Sequence, residues 1–138
     1  MRITADVNIL ISSTVAPLGI PRKIITAWRK GELDLVISIG IINEVKEKLH
    51  YPRIQNRYKL TEEQIQTAIA TLKTEAILVP VAMQKVVSAT GDPEDDYVLA
   101  TAALGKADYL ITGDLKLQEL KKYKGVIILS PREFEINL

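Results

Sequence analysis

Arg2-Ile3-Thr4-Ala5-Asp6-Val7-Asn8-Ile9-Leu10-Ile11 is an apolar run broken by a single carboxylate. An ionised Asp in such a run is not core filler, because burying an unpaired charge is costly. Asp6 therefore reads as the close of a strand. It serves there either as N-cap of a helix starting at Val7 or as an acid held at a strand end for chemistry. Further apolar runs follow at 34–38, 76–80, 108–112 and 126–129. Near-continuous apolar strands separated by helical patterns predict βαβ units and a parallel sheet covered on both faces.

Helical patterns fill the intervals at 21–30, 40–49, 61–74, 92–105 and 115–122. Pro21 suits a first turn and Gly31 a helix stop. Thr61 with Gln64, and Ser130 with Glu133, have capping-box spacing, so a helix opens at each. Residues 51–59 extend the second helix or form a short one of their own. The stretch 83–90 carries no decisive pattern.

The 138 residues suit one domain, 1–138, able to bury a core without disulfides or a structural metal. Cysteine is absent, which excludes thiolate metal sites and cysteine nucleophiles. His50 is the one histidine, so multi-His metal sites are excluded and a Ser-His-Asp hydrolase is a poor fit. A net charge of +1, from 18 basic and 17 acidic residues, does not point to nucleic acid. Bound divalent cations would nevertheless add local positive charge. Asp6 spoils a secretory h-region and no apolar run is long enough for a bilayer, so a cytoplasmic, membrane-free protein is expected.

In open parallel sheets, ligands sit beyond the carboxyl ends of the strands. Asp6 closes the first strand, and Asp114 follows the fourth through Thr112-Gly113. Glu44 lies on the second helix beside the stripe Ile41, Val45 and Leu49. It is either an i,i+4 partner of Lys48 or a site acid. In Asp92-Pro93-Glu94-Asp95-Asp96, the helix start explains the first acids as cap and first-turn charges. Asp96 shares a face with Leu99, Ala100 and Ala103, which favours it for chemistry, with Asp95 as the alternate. Asp114 is an N-cap or an outer or second metal ligand. Thr112 donates a hydroxyl to a metal-bound carboxylate or a substrate phosphate, or is a plain β-branched strand residue. Asn8 supports Asp6 or is a polar first-turn residue. Clustered carboxylates oppose one another's ionisation. An oxygen-seeking divalent cation reverses this and brings water for phosphodiester hydrolysis.

Taken in order, Asp6-Val7-Asn8-Ile9-Leu10, Glu44-Val45, Asp92-Pro93-Glu94-Asp95-Asp96, Ala107-Asp108-Tyr109-Leu110-Ile111-Thr112-Gly113-Asp114 and Ile128-Leu129-Ser130-Pro131-Arg132-Glu133-Phe134 span nearly the whole chain. In this pattern the chain resembles the PIN domain, in particular the toxin components of bacterial and archaeal toxin–antitoxin pairs (VapC-like in the broad sense). The resemblance implies a three-layer α/β/α fold with a central five-stranded parallel sheet. It also implies an Mg²⁺- or Mn²⁺-dependent endoribonuclease, with metal binding at Asp6, Glu44, Asp96 and Asp114 and support from Asn8 and Thr112. It further implies a homodimer and a cognate antitoxin that blocks the site. Arg22, Lys23, Lys46, Arg53 and Arg57 are candidates for a phosphate path. Two other functions compete: a catalytically silent scaffold that binds RNA or protein, and an Asp-dependent phosphoryl-transfer domain with Asp6 as nucleophile.

Overall fold

The computed structural model describes residues 1–82, 86 and 88–138. Part of the undecided stretch 83–90 lies outside the described residues. The elements run β1 (Arg2–Ala5), α1 (Val7–Val15), α2 (Ile20–Arg29), β2 (Asp34–Ile37), α3 (Ile39–Leu49), α4 (Pro52–Tyr58), α5 (Glu62–Glu75) and β3 (Ile77–Leu78). They continue with α6 (Pro93–Leu104), β4 (Tyr109–Ile111), α7 (Leu115–Leu120), β5 (Lys122–Tyr123), β6 (Val126–Leu129) and α8 (Pro131–Glu135).

The sheet order is β3-β2-β1-β4-β6-β5. The five strands expected from the apolar runs pair in parallel, with Ile3 opposite both Leu35 and Tyr109, and Ile111 opposite Leu129. A sixth strand, β5, pairs antiparallel to β6. The helical pattern of the sequence runs through 122. Instead α7 stops at Leu120, because Lys121 turns to φ 59° and redirects the chain along β6. The chain builds outward from β1 through β2 to β3, then returns to the other side of β1 with β4. The β1/β4 boundary is therefore the point where connection direction reverses, and in open parallel sheets ligands bind at the carboxyl ends of the strands at such a point.

Local chemistry sets the boundaries. Thr61 and Ser130 each form complete capping boxes, with Gln64 and Glu133. Residues 51–59 form a separate helix, since Tyr51 is extended and Pro52 cannot continue α3. Inner β-strand residues such as Ile3, Leu35, Val36, Ile37, Leu110 and Ile111 are at most 1% exposed. Helices cover them on both sides. Among the described residues, no helix is long and apolar enough to cross a membrane.

Two glycines allow the close approach of α6 to the rest. A Cβ at Gly105 would stand 2.1 Å from Val36 Cγ1 on β2, and one at Gly40 would stand 2.5 Å from the Tyr97 hydroxyl. Gly40 thus lets α3 lie against α6, which brings Glu44 and the start of α6 to one rim. Gly105→Ala has an ordinary backbone angle available, with φ −79°, so its cost is overpacking alone. It is expected to lower stability by about 1–3 kcal/mol. Urea denaturation measures this, and adding Val36→Ala should recover part of the loss.

Candidate acidic site at the strand ends

Asp6 follows β1 and caps α1, its Oδ1 accepting from the Ile9 N–H at 2.9 Å. Its Oδ2 accepts a short hydrogen bond from the Thr112 hydroxyl. The same hydroxyl accepts from the Asp114 N–H at 2.9 Å. Asp114 in turn caps α7, accepting from Lys116 N–H at 2.8 Å. Gln118 Nε2 donates to the Thr112 carbonyl at 2.7 Å and steadies the turn. Thr112 thereby ties the end of β1 to the end of β4. The capping and site readings of Asp6 and Asp114 are compatible, since one carboxylate oxygen can cap while the residue remains at the crevice.

Burial pushes the Asp6 carboxyl above its usual range, and Asp114 adds to this, against the lowering effect of the Thr112 and Ile9 hydrogen bonds. Asp95 is pushed up to about 6, first by burial and then by the negative charges of Asp114, Asp92, Asp6 and Asp96. The Oδ2 of Asp95 is buried without a hydrogen-bond partner among the described residues. Asp95 stands one and two turns above Leu99 and Ala102, both 0% exposed. It therefore heads the face of α6 that lies on the sheet.

Asp96 is placed differently. Its Oδ1 accepts from the N–H groups of Ala89 and Thr90, at 3.0 and 2.8 Å, and from the Thr90 hydroxyl at 2.8 Å. Burial works to raise its pKa, but these hydrogen bonds outweigh it and hold the carboxyl below its usual range. This carboxylate fastens the loop that enters α6. Burial in the fold separates the two acids: Leu99 and Ala102, both 0% exposed, are i+4 and i+7 from Asp95, whereas Ala100 and Ala103, which share a row with Asp96, are only half-buried.

Glu44 sits on α3 with Lys48 Nζ 3.9 Å away. Burial and the neighbouring Glu94 carboxylate push it up to about 7, while Lys48 opposes the shift. Glu94 was not singled out by the sequence reading. Its first-turn position explained it fully as a dipole partner, and only the packing of α3 on α6 brings it to Glu44. Asn8 is exposed on the first turn of α1, with no side-chain hydrogen bond among the described residues. Two basic candidates are occupied elsewhere. Arg22 donates to the Ala16 and Thr14 carbonyls at the end of α1, and Lys23 pairs with Glu135 on α8.

Among the described residues, no three acidic side chains are already set around one point to hold an ion. The donor chemistry still suits a hard divalent cation: oxygen-only donors, carboxyls raised by burial and then by neighbouring acids, and a buried oxygen on Asp95 without a partner among the described residues. Mg²⁺ commonly takes one or two carboxylates and completes its shell with water and substrate phosphate. A separate groove of about 740 Å³ lies between α1, α2 and α5, with Arg22, Trp28 and Tyr58 on its walls, and none of these acids lines it.

The sequence matches the PIN domain family over residues 2–116. No curated protein matches it significantly. Among solved structures, one similar chain is in VapBC2 from Rickettsia felis bound to a DNA fragment from their promoter, with a TM-score of 0.60 and 15% identity. Another is in FitAcB from Neisseria gonorrhoeae, with a TM-score of 0.50 and 14% identity. Each comparison covers 94% of this chain and 98% of the other. At these identities the likeness establishes the fold.

The raised carboxyls have a consequence for stability. An acid whose pKa is higher in the folded chain than in the unfolded one stabilises at low pH and loses that contribution as pH rises. Asp95 and Glu44 move from ordinary values of 3.8 and 4.5 to about 6 and about 7. Without divalent cations, the melting temperature is therefore expected to fall between about pH 4 and pH 7. Asp95→Asn should melt higher than the wild type at pH 7.5 in EDTA and flatten that slope, as scanning fluorimetry across pH would record.

Proposed function

The chain belongs to the PIN domain family, and on that premise we propose that it is a divalent-metal-dependent endoribonuclease, the toxin of a toxin–antitoxin pair. The observation that carries this reading is the uncompensated acidic edge: burial, with the Asp114 charge adding to it, raises the pKa of Asp6 and Asp95, and one oxygen of Asp95 is buried with no partner among the described residues. Evolution of a stable fold would favour relieving such repulsion unless a cation resolves it.

In this reading Asp6 and Asp95 are the ligands of Mg²⁺ or Mn²⁺, with Asp114 as an outer ligand. Bound there, the ion would lower the pKa of a water and offset charge on the attacked phosphate. Thr112 fixes the Asp6 carboxylate in one orientation, so the ligand is preorganised. Glu44, pushed up to about 7 by burial and Glu94, is the acid that α3 offers to the site in this reading. Asp96, favoured from the sequence, takes the part of a loop anchor, and Asp95 takes its place at the ion. Each oxygen of Asp6 accepts one hydrogen bond and keeps a lone pair for an ion.

The toxin assignment draws on the two similar structures, whose names describe a VapBC2 complex and a FitAcB complex. A small antitoxin protein and a homodimeric state belong to the same reading. The groove between α1, α2 and α5 leaves room for a partner.

Cleavage of single-stranded RNA in Mg²⁺ or Mn²⁺ tests it. Asp6→Asn and Asp95→Asn are each expected to reduce the rate by more than the roughly 10–100-fold typical of an outer-shell partner. Asp96→Asn should lose thermal stability while keeping more activity than Asp95→Asn. Equal cleavage by all four proteins would sink the metal roles. The reverse ranking of the Asp95 and Asp96 variants would return the ligand position to Asp96.

A further inference from the structure

The segment from α7 to β5 concentrates positive charge. Lys116, Lys121, Lys122 and Lys124 lie within nine residues, with Glu119 as the sole acid among them. All four are exposed, and none makes an ion pair among the described residues. In a chain with a net charge of +1, this is a strong local imbalance.

Their placement is directional. Lys116 stands two residues after Asp114 and lines an opening of about 720 Å³ shared with Thr90, Gly91, Asp92, Pro93 and Glu94. Lys121 is level with the upper part of β6, its carbonyl accepting from the Ile128 N–H at 2.9 Å. Lys122 lies opposite Ile127, one step lower, and β5 is the outermost strand of the sheet. Lys124 sits in the turn below, its ammonium 5.4 Å from the centre of the Tyr123 ring. The lysines thus descend from the rim of the acidic crevice along one open sheet edge.

Lysines on an edge strand also deter edge-to-edge aggregation. That purpose accounts for Lys122 but not for Lys116, which is on a helix at the mouth of the site. A polyanion approaching Asp6, Asp95 and Asp114 is repelled, and attraction must come from beside the crevice. We propose that Lys116, Lys121, Lys122 and Lys124 form the track that holds the RNA phosphate backbone on one side of the cleavage point. This rests on the ribonuclease reading for the identity of the polyanion.

The test is equilibrium binding of a fluorescein-labelled single-stranded RNA to the full chain in EDTA, where no cleavage occurs, over a series of salt concentrations. One variant carries Lys116→Gln, Lys121→Gln, Lys122→Gln and Lys124→Gln. A control carries Lys30→Gln, Lys59→Gln, Lys73→Gln and Lys106→Gln, an equal loss of charge elsewhere. Each phosphate contact with a single strand contributes about −0.7 to the slope of log K against log salt. The track variant should bind more than about tenfold more weakly with a slope flatter by about 3, while the control stays near wild type. Equal losses in the two variants, no loss in the track variant, or no binding by the wild type would overturn the proposal. Cleavage of a dinucleotide, too short to reach the track, separates the two ideas. If wild type and track variant cleave it alike while long-RNA binding differs, both stand. If neither cleaves RNA of any length, the nuclease reading fails, and the binding result still decides the track.

Discussion

At the carboxyl edge of the sheet, the Thr112 hydroxyl donates to Asp6 and accepts from the Asp114 backbone. This one group joins two strand-to-helix turns that are 106 residues apart in sequence. The turns flank the boundary where the chain reverses its direction of sheet building. A buried carboxylate there needs a donor, and a β-branched residue with a hydroxyl supplies one while still packing in a strand. The rest of the crevice depends on that anchor, because it sets where Asp6 points and how close Asp114 comes.

The site is also an electrostatic compromise. Helices α1, α6 and α7 all begin at this edge, and each opens with an acidic N-cap. Helix N-termini favour negative charge, so the capping energy subsidises a concentration of carboxylates that would otherwise be unstable. The subsidy is incomplete: Asp6, Asp95 and Glu44 remain above their ordinary ionisation ranges. The proposed cation would offset the repulsion that remains. The lysine-rich flank at α7 and β5 complements this by placing attraction for a polyanion beside the acids rather than among them.

Much of the fold was legible along the chain. The five apolar runs correspond to the five parallel strands, and both capping boxes stand where their spacing placed them. The sixth strand was not legible, because Lys122-Tyr123 is two residues long and follows a helical pattern whose break, at Lys121 with φ 59°, no glycine or proline announces. The separate α4 could be posed only as an alternative. Pro52 marks a boundary, but whether the chain resumes as helix depends on its surroundings.

What the sequence by itself determined is the alternation of strand and helix, the caps, and the acids that follow strand ends, since these are set by neighbours within a few residues. What only the tertiary structure decided is which carboxylates share an environment. Asp95 and Asp96 are adjacent and chemically identical, yet a helical step of about 100° sends one toward the sheet and the other to the loop at 89–90. Glu44 met Glu94 for the same reason. Helix phase relative to a packed neighbour is fixed by contacts such as Gly40 on Tyr97 and Gly105 on Val36, and these join residues far apart in the chain.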